Sequence, residues 1–534
     1  MTEAIKALIV VAALSAGAFV YARMAFSDIV PPATITRWRN LYLAVTAVAF
    51  LAPNYWLMLA MLAGAVLVFG AGEKFKPALF LLLLFAVPAA GKTVPGFGGI
   101  NNFLDLYPYN VLAIVLLFPM LLRPSEARGA GRGDLAVAVF IAYALLMLAL
   151  AFREASFTHG VRRSTAFILT AVAQYFVFSR VRWTVERIRL ATAALVIPLF
   201  ALSVIAVAEA VLGWHFYAAA VQNWDVSTIL RYTERSGFLR SYGSVLGPIA
   251  FGLFLAAGLA LAPALIRSAA RTSLATMSLP AIAAGLLVTF SRGPWIGGAI
   301  AVVLYVATTR RAMGNLVRLA MVGAAGFVAL AVTPFGSAVI GILPFIGDAE
   351  SNSIDYRQDL FDIGWSVAMQ TPWFGSEGYM ESAAMQELVQ GQGIIDIVNA
   401  YLRITLDSGL VGLSLYLGAV GLAILAAFRA IGPARKIGSE LESYCQGYFA
   451  ALLGLSIILA TTANTIAQIK EFTWILCGIC VGLARSVALE VKERQGVPTA
   501  APIAAPSSDA PDPEAPALVR GRPLPPHLRQ YGPR

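Results

Sequence analysis

The stretch Leu286-Leu-Val-Thr-Phe-Ser-Arg-Gly-Pro-Trp295 places one charged residue, Arg292, between two long apolar runs at 274–290 and 294–309. Segments that cross the hydrocarbon core of a membrane exclude charge, so an arginine at the end of such a run indicates a membrane surface. Further along the chain, an acidic segment punctuated by tryptophan and glycine, 335–402, lies between other apolar runs. This arrangement predicts a functional site at one membrane face.

The composition of the whole chain supports this interpretation. Of its 534 residues, 59% are hydrophobic and 13% are charged, whereas soluble domains carry about 25% charged residues. Apolar runs long enough to cross a membrane recur along nearly the whole length. We therefore predict an all-α fold, a polytopic integral membrane helical bundle with about 12–15 transmembrane helices.

Arginine and lysine fall on alternate loops between the apolar runs, and this pattern predicts the orientation. By the positive-inside rule, the cytoplasmic loops carry Arg37/Arg39, Lys74/Lys76, Arg123/Arg128/Arg132, Arg180/Arg182/Arg187/Arg189, Arg267/Arg271, Arg310/Arg311/Arg318 and Arg429/Arg435/Lys436. The largest loop on the opposite face is 335–403. Arg153, Arg162 and Arg163 depart from the rule, since they fall on that opposite face. The net charge of +10 reports orientation and implies no nucleic-acid partner.

The chain divides into two regions of different character. Residues 1–495 form the predicted membrane domain, with the large external loop 335–403 containing short helices. Within that loop, 354–369 has apolar residues on one side and aspartates on the other, which predicts an amphipathic helix at the membrane surface. Residues 496–534 are rich in proline and alanine, and we predict a disordered cytoplasmic tail.

Arginines on the external face are the main candidates for substrate binding. They form three groups: Arg231, Arg235 and Arg240; Arg292; and Arg357. Guanidinium groups bind phosphate oxygens bidentately and remain charged, which suits a substrate with a lipid tail and a phosphate head. The alternative is interfacial anchoring to lipid headgroups. The positive-inside rule disfavours arginine on this face, which favours function for Arg240 and Arg292.

The segment Asp396-Ile-Val-Asn-Ala-Tyr-Leu402 brings a carboxylate, an amide and a phenol to the start of a span. Asp396 is a candidate general base for an incoming hydroxyl, and Asn399 and Tyr401 are candidate substrate-binding residues. The alternative for Asp396 is a helix cap or a solvated charge. We identify no metal-binding pattern and no Gly-rich phosphate loop.

Four motifs, in order along 230–430, resemble the bacterial O-antigen ligase/polysaccharide polymerase superfamily. They are Arg235-Ser-Gly with Arg240-Ser-Tyr-Gly243; Thr289-Phe-Ser-Arg-Gly-Pro-Trp295; Tyr356-Arg357 with Thr371-Pro-Trp-Phe-Gly-Ser376; and Val398-Asn-Ala-Tyr-Leu402 with Gly409-Leu-Val-Gly412. The resemblance implies a multi-pass glycosyltransferase of the bacterial inner membrane, active at the periplasmic face without a metal or other cofactor. Its donor would be an undecaprenyl-diphosphate-linked oligosaccharide. Arg240 and Arg292 would hold the diphosphate, and Arg357 would support the site. We also predict Arg235 as a substrate-binding residue and Arg292 and Asp396 as catalytic residues.

One position departs from the O-antigen ligase pattern. Ligases typically have a histidine before the asparagine of the Asn-x-Tyr-Leu motif, and here that residue is Val398. This favours a polymerase of exopolysaccharide or O-antigen repeat units over a ligase that transfers glycan to lipid A core. A lipid-linked oligosaccharide flippase or transporter and a structural scaffold are the alternatives from other classes. Membrane lipids and a chain-length regulator of polysaccharide assembly are the expected partners.

Overall fold

A computed structural model of the chain describes residues 2–96, 102–122, 134–153, 156–226, 234–235, 237–332, 351–389, 393, 395–463 and 467–496. Helices make up nearly all of the secondary structure in these ranges, so the predicted all-α fold class is confirmed. The predicted tail lies outside the described residues from 497 onward, and so do Arg231 and residues 335–350 of the large loop.

The first half of the chain contains eleven α-helices and two short hairpins in the described ranges. The helices are α1 Thr2–Phe26, α2 Pro32–Leu51, α3 Tyr55–Phe69, α4 Lys76–Leu83, α5 Pro108–Leu112, α6 Phe118–Leu121, α7 Asp134–Leu150, α8 Phe157–Phe167, α9 Ala173–Arg180, α10 Val185–Leu212 and α11 Ala218–Gln222. Single π-helical segments, Ala113–Leu117 and Ile168–Val172, join α5 to α6 and α8 to α9. The antiparallel hairpins pair β1 Lys92–Pro95 with β2 Asn102–Leu106 and β3 Glu234–Arg235 with β4 Phe238–Leu239.

After the second hairpin, the described ranges of the second half of the chain contain helices and no strands. They are α12 Pro248–Ser268, α13 Thr272–Thr276, α14 Ser278–Leu287, α15 Arg292–Ala307, α16 Ala312–Ala331, α17 Ser351–Ala368, α18 Ala383–Gln386, α19 Ala400–Ile437, α20 Ser439–Leu459 and α21 Ala467–Arg494. Short 3-10 helices cover Gly243–Val245 and Gly378–Glu381.

Six helices in the described ranges are long and apolar enough to cross a membrane, namely α1, α10, α12, α16, α19 and α21. Shorter apolar helices of 10–17 residues accompany them, including α3, α7 and α15. These helices agree with a polytopic helical bundle. The predicted number of about 12–15 spans stays a prediction, because length and hydropathy qualify only the longer helices.

The most buried helices, α10, α12, α20 and α21, form the centre of the bundle. Small residues allow the backbones of these and neighbouring helices to approach closely. A Cβ atom on Gly454 of α20 would lie 2.6 Å from the Cβ atom of Ala301 in α15, and one on Gly297 of α15 would overlap Ile458. In a bundle without water between its helices, small residues of this kind permit close van der Waals packing. The close contact between α15 and α20 positions the first turn of α15, where Arg292 lies.

The long helix α19 is interrupted near its start, and a turn from the large loop fills the interruption. Gly409 has a φ of +68°, which is a left-handed conformation inside an otherwise helical segment. The Leu410 N–H donates to the Pro372 carbonyl at 2.7 Å, and the Val411 N–H donates to the Trp373 carbonyl at 3.2 Å. The turn, residues 371–376, also donates one hydrogen bond to α19, from the Ser376 N–H to the Leu406 carbonyl at 3.0 Å. We call this exchange of backbone hydrogen bonds the interlock.

The interlock also explains one of the arginines that departed from the positive-inside pattern. Arg153 donates through Nη2 to the Asp407 carbonyl at 2.6 Å and through Nη1 to the Phe374 carbonyl. These carbonyls lie on opposite sides of the interlock, so one guanidinium bridges them. Its planar set of N–H donors suits several carbonyl acceptors at once.

Two predicted segments can be compared directly with the structure. The amphipathic helix predicted at 354–369 is confirmed as α17, with Leu360 and Val367 buried and Phe361 and Trp365 exposed. Its position along the membrane surface stays a prediction. In contrast, Arg37 and Arg39 were predicted on a loop but lie within α2, because Ile35, Trp38 and Leu41 are buried at helical spacing and the helix begins already at Pro32.

The interlock predicts a strong effect of an added methyl group at Gly409. In Gly409→Ala the new Cβ atom would overlap the backbone of Trp373, and the backbone conformation of φ +68° with ψ −171° alone costs about 1–3 kcal/mol for a residue with a side chain. We expect a clearly lower unfolding temperature, measured by intrinsic fluorescence of the purified protein in detergent. The matched control is Gly421→Ala in the same helix, where a Cβ atom meets nothing within 4 Å. An equal unfolding temperature for both variants would contradict the interlock.

Candidate functional site

The site begins at a sharp turn between α14 and α15, residues 289–291, which we call the 289–291 turn. Phe290 has a φ of +45°, a rare conformation for a residue with a side chain. Two bonds to the Leu286 carbonyl support the turn: Thr289 Oγ1 donates at 2.7 Å and Trp295 Nε1 donates at 2.8 Å. The turn ends α14 and starts α15 directly at Arg292, so this side chain lies half-buried at a helix N-terminus.

Two of the predicted arginines bind the 289–291 turn from outside. Arg240 donates through Nε to the Thr289 carbonyl at 3.2 Å and through Nη2 to Ser291 Oγ at 2.9 Å. Arg235 donates through Nη1 to the Phe290 carbonyl at 3.4 Å. Arg240 is buried, with 6% of its surface exposed, whereas Arg235 is half-buried. The structure therefore brings Arg235 and Arg240 to the turn that carries Arg292.

A buried carboxylate, Glu209, holds the chain immediately after Arg240. Glu209 lies near the end of α10 and is fully buried. Its Oε2 atom accepts from the Tyr242 N–H at 3.3 Å and from the Gly243 N–H at 3.1 Å, and its Oε1 atom accepts from the Phe216 N–H at 3.3 Å. The carboxylate thus ties two loops to the end of α10. Glu209 was not predicted as a functional residue from the sequence, where its signal is an acidic residue inside a long apolar run.

The imidazole of His215 adds to this support. Its ring stacks on Tyr242 with 3.8 Å between the ring centroids, and its Nδ1 atom lies 3.8 Å from Glu209 Oε2. A stacked ring and a buried carboxylate therefore confine the backbone next to Arg240. We infer that His215 positions the arginine-bearing segment, since its contacts are with Tyr242 and Glu209.

The large loop contributes Arg357 and Asp396 to the same region. Tyr356 Oη donates to the Asp396 carbonyl and accepts from the Asp396 N–H, both at 3.2 Å, which joins α17 to the segment before α19. Partial burial lowers the pKa of the Arg357 guanidinium, although the residue as a whole is exposed. The Asp396 carboxylate raises this pKa and the charge of Arg292 lowers it. Arg292 and Asp396 therefore both act electrostatically on Arg357.

The remaining predicted residues, Asn399 and Tyr401, support the start of α19. Asn399 is its N-cap, and its Oδ1 atom accepts from the Tyr401 N–H at 3.0 Å and from the Leu402 N–H at 3.1 Å. The Tyr401 hydroxyl donates to the Ser456 carbonyl in α20 at 2.6 Å. Both side chains hold α19 in place, and their contact with substrate stays a prediction. Val398, before the cap, is partly buried against the apolar residues of the loop.

A second polar cluster explains the other arginines that departed from the positive-inside pattern. Arg163 forms an ion pair with Glu377, and His159 Nε2 lies 3.3 Å from the same carboxylate. Arg162 Nη2 lies 3.3 Å from His159 Nδ1. These contacts join α8 to the loop beyond the interlock. Pairing within the protein is therefore a sufficient reason for arginine at these positions.

A comparison with known protein families identifies the central part of the chain. Residues 275–417 match the family model Wzy_C, described as O-antigen ligase. The resemblance to the O-antigen ligase/polymerase superfamily is confirmed. The O-antigen ligase match includes Arg292, Arg357, Asp396, Asn399 and Tyr401, whereas Arg235 and Arg240 precede it. No curated protein has a significant sequence match to the chain. With its apolar helices, this match indicates a multi-pass membrane protein and a glycosyltransferase-like enzyme.

Several cations gathered around one turn can bind an anion with more than one phosphate group. Arg292 lies at the N-terminus of α15, where the helix dipole also favours negative charge. Arg235 and Arg240 bond to the turn, and the charge of Arg292 acts on Arg357. Asp396 also acts on Arg357, and a carboxylate beside a bound anion is suited to accept a proton.

The support given by Glu209 can be tested by a change of one atom. Glu209→Gln replaces a carboxylate oxygen with an NH₂ group that faces backbone N–H donors. The loss of an acceptor at a buried site costs roughly 1–3 kcal/mol. We expect a lower unfolding temperature and reduced glycan transfer, since the backbone beside Arg240 is no longer held. Glu186→Gln, an exposed position in the first turn of the same helix, is the control and should behave as the natural protein. Natural behaviour of both variants would contradict this role.

Proposed function

We propose that this protein is a polysaccharide polymerase of the bacterial inner membrane. It transfers glycan from an undecaprenyl-diphosphate-linked donor to a sugar hydroxyl of the acceptor at the periplasmic face. The observation that carries the proposal is the convergence of Arg235, Arg240 and Arg292 on the 289–291 turn, with Arg292 and Asp396 both acting on the charge of Arg357. The match of residues 275–417 to the O-antigen ligase family supports the same class of reaction.

The proposed reaction exchanges one bond at the anomeric carbon of the donor sugar. The bond from this carbon to the diphosphate oxygen breaks, and a bond to the acceptor oxygen forms. Undecaprenyl diphosphate leaves with the electron pair, and the arginines stabilise the negative charge that develops on it. Asp396 takes the proton of the acceptor hydroxyl. Charge stabilisation by fixed guanidinium groups serves the purpose for which other transferases use a divalent cation.

The bonds of Arg240 to the turn fit this role because they fix its guanidinium before any substrate binds. Catalytic donors stabilise charge best when they need no reorganisation during the reaction. Arg240 is held at two atoms of the turn and is buried, and the backbone next to it is held by Glu209. We assign Arg240 to the phosphate nearer the turn and Arg292 to the leaving oxygen.

Two alternative functions can be compared with this proposal: a ligase, which is the same class of enzyme, and a flippase, which is a transporter. The ligase alternative differs in its acceptor, lipid A core, and Val398 disfavours it because an apolar residue replaces the histidine of typical ligases. The flippase alternative expects ionisable residues near the middle of the spans. Arg292 instead begins α15, and Arg240 precedes α12, so the candidate residues lie at the ends of helices. This placement favours transfer at one face.

Arg292 allows a sharp test of the diphosphate contact. We expect Arg292→Ala to reduce glycan transfer by roughly 10²–10³-fold, which is typical for loss of a donor to a developing negative charge. Arg292→Lys should also be poor, because lysine cannot make the planar bidentate contact. The measurement is transfer by purified protein in detergent with a lipid-diphosphate glycan donor. Arg318→Ala, an exposed position on α16, is the control. Full activity of Arg292→Ala would exclude the assignment.

Deletion of the protein in its native host separates polymerase from ligase. Gel profiles of lipid-linked glycan and of surface polysaccharide should show loss of long polymer, while single repeat units still reach the surface. Long polymer that accumulates on its lipid carrier would instead establish the ligase alternative. Failure of the repeat unit itself to reach the external face would support the flippase.

A further inference from the structure

A groove at the opposite end of the bundle contains three arginines that the proposed reaction does not use. Arg267 lies in the last turn of α12, and Arg310 and Arg311 lie in the turn after α15. The groove has a volume of about 510 Å³. This is within the range of about 300–1,000 Å³ that is common for small-ligand sites. By the distribution of positive charge along the chain, this end is the cytoplasmic one.

The groove combines positive charge with an apolar wall. Ile266, Leu279 and Val306 line it together with the three arginines. These apolar residues come from α12, α14 and α15, so the groove opens between spans. A ligand that fills it needs a negatively charged group and an apolar part next to that group.

Only part of the positive charge in the groove is neutralised by the protein. Arg310 bonds to Glu442 at 3.3 Å, and Arg435 bonds to the same buried carboxylate at 2.8 Å. Arg267 and Arg311 have no carboxylate partner in the part of the chain that the structure describes. Two exposed guanidinium groups therefore face the groove with their charge uncompensated. They are the groups available to an anion.

Membrane orientation and helix dipoles account for arginine at this end of the bundle, but they do not account for a groove. The helix dipoles stabilise positive side chains at the C-termini of α12 and α15, and the positive-inside rule favours arginine on cytoplasmic loops. Either effect is satisfied by arginines that point into water. Here the three arginines instead line one cavity with the apolar ends of three helices.

A second cleft, which Arg271 of the connection between α12 and α13 lines, repeats the same combination. It has a volume of about 370 Å³ and contains Arg23, Arg39 and Arg271 beside Phe19 and Ile35. The repeated pairing of guanidinium groups with apolar walls, at the same end of the bundle, matches the chemistry of a lipid layer. Soluble phosphate would gain nothing from the apolar walls.

We propose that the groove of Arg267, Arg310 and Arg311 binds the headgroup of an anionic phospholipid of the cytoplasmic leaflet. The phosphate contacts Arg267 and Arg311 through charge-assisted hydrogen bonds, and the first carbons of the acyl chains lie along Ile266, Leu279 and Val306. Arg310 remains bonded to Glu442 and closes the groove. This site is independent of the glycan-transfer site.

The experiment compares two double variants of the full chain that lose the same charge. Arg267→Gln with Arg311→Gln removes the arginines that have no carboxylate partner and leaves Arg310 on buried Glu442. Arg318→Gln with Arg429→Gln removes two exposed arginines, also assigned to cytoplasmic loops, that do not line the groove. Lipid binding is measured by native mass spectrometry of protein in detergent, titrated with phosphatidylglycerol or phosphatidylcholine.

The natural protein and the control should retain phosphatidylglycerol in preference to phosphatidylcholine. The groove variant should bind phosphatidylglycerol roughly tenfold to thirtyfold more weakly, as expected for two arginines near a lipid phosphate. Unfolding temperatures establish that both variants are folded, and Arg267→Lys with Arg311→Lys should restore most binding. The proposal is overturned by equal binding of both lipids to the natural protein, by equal losses in both variants, or by displacement of phosphatidylglycerol with millimolar inorganic phosphate.

Discussion

Hydrogen bonds from neighbouring segments to the backbone at two helix breaks are the interactions on which the described site depends. A backbone group inside an apolar bundle has no water to bind, so each break in a helix needs partners from the protein. At the 289–291 turn the partners are the guanidinium groups of Arg235 and Arg240. At Gly409 they are the carbonyls of Pro372 and Trp373. The segments that supply these partners also carry or adjoin the candidate site residues.

Arginine therefore has two uses in this protein, and the two are compatible. The guanidinium of Arg240 satisfies the turn and is held rigidly by it, while its charge remains unneutralised by that contact because the acceptors are neutral oxygens. Arg163 is different, because it pairs with a carboxylate, Glu377. The nature of the acceptor thus distinguishes arginines that bond to neutral oxygens from arginines that pair with carboxylates. Fixed positive groups of the first kind are suited to an anionic leaving group.

Much of the fold and part of the candidate site could be predicted from the sequence. Apolar runs indicate spans because hydrocarbon excludes charge, and the position of Arg292 at the end of one run indicates a surface. Glu209 was not found, because its role depends on N–H groups far along the chain that meet it only in the folded bundle. Asn399 and Tyr401 were predicted to bind substrate because an amide and a phenol lie at the start of a span. Their cap and anchor contacts require knowledge of where α19 begins and which helix lies beside it.

The interlock has a consequence for how such proteins diversify. The turn 371–376 and the start of α19 recognise each other through backbone atoms and through two glycines, Gly375 and Gly409, whose conformations a side chain would disturb. The loop between α17 and α19 is therefore clamped to α19 through backbone atoms, and it is joined to α8 through Glu377 and to α17 through the backbone of Asp396. A loop transplanted from a relative would need to bring this clamp and a partner for Arg163, while the exposed residues between these contacts could differ in length and chemistry. With the proposed function, a different glycan specificity would follow from exchange of the exposed part of the loop around an unchanged arginine site.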